Sequence, residues 1–358
     1  MNLKPFESLK VVELAGVLAG PSVGMFFAEL GAKVLKIENK NTGGDVTRSW
    51  KLPAEDEASH ISAYFASINF QKRYFLADYY DETELAHVID LIRDADIIIT
   101  NFKKGDGEKF GLDYQSLKKV NSKLIYGEIS GFGEQSDRVA YDLILQAESG
   151  FMSMNGTENS GPIKMPVALI DILAGHQLKE GILVALLERQ KTNKGCKVHV
   201  SLLDSAVSSL ANQASNWLMA GHIPKPIGSK HPNIAPYGEL FKTLDNRLIT
   251  LAIGSDSQFQ KLVSILNLEH LAENPDFDSN QVRVKNRTQL EKILAEKIVN
   301  FKSSDLLQKM HTLYIPAALV KTVNEVFEED AAKKLIREEL IDDMPTKRVT
   351  GTVFKITD

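Results

Sequence analysis

Residues 9–38 read LKVVELAGVLAGPSVGMFFAELGAKVLKIE, two β-branched runs on either side of a segment of helix length. Strand composition at 9–15 and 32–38, with Pro21 and Gly31 at the start and stop of the segment between, encodes a strand–helix–strand unit. The unit recurs. LAHVIDLIRDADIIITNF (85–102) and LKKVNSKLIYGEISGF (117–132) each give a helix then a strand, and CKVHVSLLD (196–204) supplies another strand. Strands alternating with helices predict an α/β fold with a parallel sheet. Residues 1–205 therefore read as one large, Rossmann-like α/β domain.

Beyond it the texture changes. GHIPKPIGSKHPNIAPYG (221–238) holds prolines 224, 226, 232 and 236, and 206–236 is read as a linker. A hairpin around Asp245-Asn246, amphipathic helices within 258–268, 287–301 and 306–313, and a short strand after Pro316 make 237–320 a small α+β domain. The last segment, 321–358, reads as a helix over 324–340 and a strand-like tail over 348–356. At 358 residues the chain exceeds what one core usually serves, which agrees with two domains.

Composition narrows the function. A net charge of −5 offers nothing for nucleic acid, and no apolar run approaches the roughly 18–20 residues of a membrane span. The single cysteine, Cys196, excludes an internal disulfide framework and fits a reducing compartment. Charges spread through the first 14 residues leave no signal-peptide core. The expectation is a soluble, cytoplasmic protein with no nucleic-acid or membrane partner.

Gly16, Gly20 and Gly24 mimic a dinucleotide fingerprint, but their spacing is not G-x-G-x-x-G. Close packing of helix on sheet is the better reading. GEISGFG (127–133) lies one residue away from a nucleophile elbow, so Ser130 is a weak candidate. Cys196 on a predicted strand reads as a structural thiol, and the eight histidines are scattered without metal-ligand spacing. No metal is expected.

Within MPVALIDILAGHQLKEGILVALLER (165–189) one carboxylate, Asp171, interrupts an apolar run. It is either the N-cap of a helix starting at Ile172 or a nucleophile at the carboxyl end of a parallel strand, where ligands gather in open α/β sheets. Partial desolvation would sharpen such a nucleophile, while the helix terminus would keep it ionised. The two roles are compatible.

The order of segments resembles the family III CoA transferases, the superfamily that includes α-methylacyl-CoA racemase. The matching pieces are LKVVELAGVLAGP, ELGAKVLKIE followed by GGDVTR, NFQKR with LADYY, DADIIITNFKKG, GEKFGLDYQSLKKVNSKLIYGEISGFG, AYDLILQAESGFM, the Asp171 segment, and GILVALLERQKTNKGCKVHVSLLD. Weaker echoes follow in HPNIAPYGELFKTLDNR and YIPAALV.

The resemblance implies that Asp171 is the catalytic nucleophile, passing through an acyl-aspartyl anhydride and an aspartyl-CoA thioester, with acyl-CoA and a carboxylic acid as substrates and no permanent cofactor. It places CoA against Leu18, Ala19, Asn39, Lys40, Ala77, Asp78, Tyr79, Tyr80, Asn101, Phe102, Lys103, Lys109, Tyr141 and Asp142. It also implies an open ring, in which long linkers join the two domains, 321–358 returns to the large one, and two protomers interlock as a homodimer.

Departures accompany it. Asn39 and Lys109 stand where family members commonly carry arginine, Tyr80 where they carry lysine, and Leu18 where a transferase uses glutamine; the usual closing helix is missing. The racemase branch has histidine where this chain has Tyr141, a poor base at its ordinary pKa near 10. Transferase is thus the expected reaction, with a racemase and a non-catalytic CoA-binding paralogue as alternatives, and a nucleotide-dependent oxidoreductase behind them.

Overall fold

Six strands, β1 (Lys10–Glu13), β2 (Lys33–Asn39), β3 (Lys72–Ala77), β4 (Ile97–Thr100), β5 (Ile125–Ser130) and β6 (Cys196–Ser201), form one sheet in the order 3-2-1-4-5-6. Every neighbouring pair runs parallel, as the strand–helix alternation predicts. This is a computed structural model, and it describes residues 4–357. Up to Ala220, the longer helices are α1 (Ala19–Glu29), α2 (Glu82–Arg93), α3 (Tyr114–Val120), α4 (Asp142–Glu148), α5 (Leu169–Thr192), α6 (Leu202–Ser208) and α7 (Ala211–Ala220).

Side-chain alternation along the strands assigns the two faces. Val11, Val34, Ile97 and Ile99 join Val23 and Phe27 of α1 and Leu178 and Ile182 of α5 in one core cluster. Val12, Ile37 and Ile98 join Val88 and Ile92 of α2 and Leu117 of α3 in another. Burial on both faces explains the unbroken Ile97-Ile98-Ile99 run. Strand order reverses between β1 and β4, leaving a crevice at their carboxyl ends, where open α/β sheets take ligands.

Two of the glycines at every fourth position, Gly20 and Gly24, now have a cause. A Cβ on Gly20 would overlap the Ala15 methyl, and one on Gly24 would overlap the Glu13 carboxylate. They let α1 lie directly on β1. Gly24→Ala is expected to cost about 1–3 kcal/mol of stability through this overpacking, read as a lower urea midpoint.

Two compact units divide the chain. The first takes in the chain up to Met152, Lys164–Ala220 and the residues from Ala331 onward; the second takes in Ser153–Ile163 and Gly221–Asp330. In the second, β7 (Tyr237–Lys242), β8 (Leu248–Ala252) and β9 (Ala317–Leu319) form an antiparallel sheet in the order 9-8-7. The Asp245-Asn246 hairpin is present, with Asn246 at φ +62°. Helices α8 (Asp256–Ile265), α9 (Arg287–Ile298) and α10 (Ser303–Thr312) cover a core that includes Phe241, Leu251, Phe259 and Leu294. Buried Arg283 donates to the carbonyls of Ala235 (3.0 Å) and Phe277 (2.9 Å) and lies over the Phe259 ring. Within 206–236, Ala211–Ala220 is helical, and the proline-bearing residues after it have no regular structure.

The end of the chain departs from expectation. Val323–Phe327 and Asp330–Lys333 are short helices, but Ile336–Ile341 is a strand, β10, paired with β11 (Met344–Val349); residues 350–357 form no strand. The Glu and Lys content of 324–340 favours helix. What wins is the Asp342-Asp343 turn, both residues at positive φ (48° and 63°), which sets a two-residue hairpin. Cross-strand Glu338–Lys347 pairing at 2.7 Å supports it. The hairpin is fastened to the first unit by Ile341 and Met344 against Ile61 and Phe65, and by Arg348 against Glu29. Among the described residues no helix is long and apolar enough to cross a membrane.

Candidate active site

The segment after β1 is pinned in three places. Gly16 N–H donates to Asn101 Oδ1 (3.1 Å), and Asn101 Nδ2 donates back to the Gly16 carbonyl (2.9 Å), tying the ends of β1 and β4 together. Val17 N–H donates to Asp45, at 3.3 and 3.2 Å from its two carboxylate oxygens. Asp45 is buried and paired with Lys36 at 3.0 Å. Burial works to raise its pKa, and the Lys36 charge with the Thr47 donors overcomes this and holds the carboxyl below its usual range.

Asp171 is not the cap of its helix. α5 starts at Leu169, three residues earlier than expected, with Ala168 at the N-cap, so Asp171 lies within the first turn. The free Ile170 N–H is met instead by Asp142 Oδ1 at 2.8 Å, the first residue of α4. Gln146 donates to the other Asp142 oxygen (2.6 Å) and accepts from Met165 N–H (2.7 Å), which fixes the coil before α5. The strand expected ahead of Asp171 is this coil. The apolar VALI run spans the end of this coil and the first residues of α5, and a short apolar run does not distinguish strand from helix by periodicity.

The Asp171 side chain is left without a partner. Among the described residues no hydrogen bond or ion pair engages it, and the residue is 7% exposed. Burial, and then the nearby Asp142 charge, push its pKa up to about 7. The helix terminus was expected to hold it ionised; desolvation outweighs that contribution. Tyr64 reports the same environment, its phenol pushed up to about 12 by burial and then by Asp171 and Asp142. Trp50 meets Tyr64 edge-on at 5.2 Å and Tyr141 at 6.5 Å. One turn beyond Asp171, Gly175 allows α5 to close on α1, since a Cβ there would strike Ser22 Oγ and crowd the Ala19 carbonyl.

A cleft of about 530 Å³ opens at the carboxyl edge of the sheet, lined by Val17, Ala19, Asn101, Phe102, Lys103, Tyr141 and Asp171 among others. Six of the expected site residues are therefore brought together there. Leu18 is the N-cap of α1 beside them, and Asp142 is the cap described above. The others gather outside the lining of this cleft. Lys40 pairs with Glu84 (2.9 Å); Asn39 accepts from Asn41 N–H (2.9 Å), and Asn41 donates to Asp78 (2.7 Å). Lys109 donates to the Tyr80 hydroxyl at 2.8 Å and lies over the Tyr80 and Phe110 rings. Ala77 is fully buried and Tyr79 nearly so.

Sequence reasoning named Ser130 only as a weak candidate and missed the polar cluster around it, of which Glu128, Ser130, Glu134 and Lys197 line the same cleft. Ser130 Oγ lies 2.9 Å from His199 Nε2, and Lys197 pairs with both Glu128 (2.7 Å) and Glu134 (2.5 Å). Glu128, Glu134 and His199 come within 4.8 Å of one another, although their sequence spacing gives no metal signature. Lys197 already supplies the positive charge there. The available signal was the period-two polar pattern of YGEIS and CKVHVS, which places Glu128, Ser130, Lys197 and His199 on one sheet face. Val17, Asp45, Trp50 and Tyr64 carried no such signal.

Comparison with known proteins adds to this geometry. The sequence profile of CoA-transferase family III matches residues 6–357. A succinate–glutarate CoA-transferase of Agrobacterium fabrum is 38% identical over 329 residues, covering 90% of this chain and 82% of that protein. The human succinyl-CoA:glutarate CoA-transferase is 32% identical over 331 residues, covering 92% of this chain and 74% of that protein. A CAIB/BAIF family protein from Brucella suis, of known crystal structure, superposes with a TM-score of 0.85 at 38% identity, over 100% of this chain and 94% of its own.

Proposed function

Because this chain belongs to CoA-transferase family III and is thus an enzyme with CoA-transferase activity, we propose that Asp171 is the nucleophile that carries the acyl group. The carrying observation is a buried carboxylate, free of partners, opening on a cleft at the strand-order reversal. Its oxygen attacks the thioester carbonyl; the new C–O bond gives an acyl-aspartyl anhydride, and the C–S bond breaks to release CoA thiolate. The thiolate then attacks the aspartyl carbonyl, giving an aspartyl-CoA thioester and the first free acid. A second carboxylate reverses both steps and leaves as the new acyl-CoA. Covalent catalysis divides one difficult exchange into two easier halves.

CoA would enter along Ala19, Asn101, Phe102 and Lys103, with Leu18, Tyr141 and Asp142 near the thioester. Asn39, Lys40, Asp78, Tyr80 and Lys109 would serve its nucleotide end, with buried Ala77 and Tyr79 beneath them. The acids we assign are short dicarboxylic acids of succinate and glutarate length, because a bacterial and a human relative are named for them. Lacking a histidine at position 141, the chain has no candidate there for the second proton carrier a racemase needs.

The test is chemical. Succinyl-CoA followed by hydroxylamine should leave a hydroxamate on the peptide carrying Asp171, located by mass spectrometry; an unmodified peptide alongside active exchange would sink the assignment. Since attack needs the ionised carboxylate, kcat/KM should rise with pH and level off above about 7. A flat profile between pH 5 and 8 would contradict it.

We further propose a homodimer. The first unit exposes Val184 and Leu187 on α5 and Trp217, Leu218 and Met219 on α7, the last 88% exposed. Large apolar side chains left exposed on two helices suit an interface. Light scattering should return twice the chain mass of 39.7 kDa at micromolar concentration.

A further inference from the structure

Val17 holds φ at +72°, a conformation that a β-branched residue rarely adopts and that persists only where its surroundings over-determine it. The surroundings are specific. Gly16 is tied to Asn101 by hydrogen bonds in both directions, at 3.1 and 2.9 Å. The Val17 N–H is held by the Asp45 carboxylate at 3.3 and 3.2 Å. Asp45 is itself fixed. It is 8% exposed, sits 3.0 Å from Lys36 Nζ, and accepts from Thr47 N–H (3.0 Å) and Thr47 Oγ1–H (2.8 Å). Lys36 in turn donates to the Ala15 carbonyl at 2.6 Å, so one ion pair grips the chain on both sides of Gly16.

What this grip holds matters for the cleft. Val17 and Ala19 both line it, and α1 begins at Ala19. At that same turn α5 makes its close approach, with Gly175 against Ala19 and Ser22. Asp171 lies one turn earlier on α5. The start of α1 therefore forms the wall facing the nucleophile, and its path depends on a backbone angle that valine does not choose by itself.

We propose that Asp45 is a positioning residue for CoA transfer: its buried carboxylate locks Val17 in the left-handed conformation and so fixes the start of α1 opposite Asp171. The inference rests on Asp171 being the nucleophile, and Asp45 touches no reacting atom. A purely structural role, in which Asp45 only neutralises Lys36, makes a different prediction about Val17.

A double-mutant cycle separates them. Asp45→Asn keeps the size and one acceptor oxygen but removes the charge; it should lower kcat about 10²-fold while KM for succinyl-CoA changes less than about threefold. Glycine adopts positive φ freely, so Val17→Gly added to Asp45→Asn should recover at least about tenfold of the loss. No recovery in the double variant, with kcat falling in step with a lowered melting temperature, would overturn the proposal. Should Asp45→Asn fail to fold, Thr47→Val removes one donor that orients Asp45 and leaves its charge; a smaller loss of kcat, again relieved by Val17→Gly, is expected, and an unrelieved loss overturns it. Hydrogen exchange of the Val17 amide gives a readout independent of turnover. Faster exchange at Val17 in Asp45→Asn, with the interior of α1 unchanged, supports the lock, and unchanged exchange refutes it. A wild-type chain without CoA-exchange activity would sink the functional reading and leave the exchange result to decide this one.

Discussion

Asp171→Asn removes CoA exchange, with kcat expected to fall by ~10⁴-fold or more, and at the same time makes the protein harder to unfold at alkaline pH. Both effects come from the same burial. In the unfolded chain the carboxyl ionises near 3.8, and in the folded chain near 7. Between those values the folded state keeps a proton that the unfolded state has lost, so stability falls as pH rises through this window and is flat beyond it. Three pKa units at 1.36 kcal/mol each set an upper bound of about 4 kcal/mol above pH 8. An asparagine has no proton to lose and escapes the penalty. Urea titrations of the two chains at pH 5 and pH 8 should diverge at both, and clearly more at the higher pH. Equal stability at both pH values would mean that Asp171 is better solvated or paired than its surroundings indicate.

The second large effect lies in the core of the sheet. Glu13 on β1 is fully buried, 3.0 Å from Lys36 on the neighbouring strand and 2.8 Å from Lys72 on the next. Lys72 also donates to the Pro21 carbonyl (2.9 Å) and Asn69 (2.8 Å). Burial drives Lys72 down to about 8, against the opposing pull of Glu13. Glu13→Gln keeps the shape but removes the carboxylate that both ammonium groups touch. Removing one partner of a buried pair typically costs about 3–5 kcal/mol, and that loss is expected in denaturant titrations. Lys72→Met on the Glu13→Gln chain should regain part of it, because the uncompensated charge disappears. Additive losses in the pair would show that the two groups do not interact.

These groups show where sequence reading succeeded and where it stopped. The parallel sheet was legible because β1, β2, β4, β5 and β6 are short β-branched runs spaced by helices, and periodicity reports local structure well. Asp171 was legible as an anomaly, a charge in an apolar run. Its partner relations were not. The cap came from Asp142, 28 residues away, and no local pattern encodes that. Glu13 and Lys36 read as ordinary strand charges, yet they are register partners whose side chains neutralise each other inside the protein. Helix propensity misled at 336–341, where two left-handed aspartates impose a turn that composition does not announce. Val17 gave no hint, because valine is a poor choice for its own backbone angle and only Asp45, far along the chain, explains it.

The path of the chain has a further consequence for assembly in time. The first unit is left at Ala220 and rejoined at Ala331, so its last hairpin waits until everything between has been made. If that stretch were still a coil, joining its ends would carry an entropic penalty of about 4 kcal/mol for a loop of roughly 100 residues. Prior collapse of the inserted segment around its own phenylalanines and leucines shortens the effective loop and lowers that barrier. The order of events is thereby biased: the segment synthesised in the middle gains by settling early, and Arg348 finds Glu29 last.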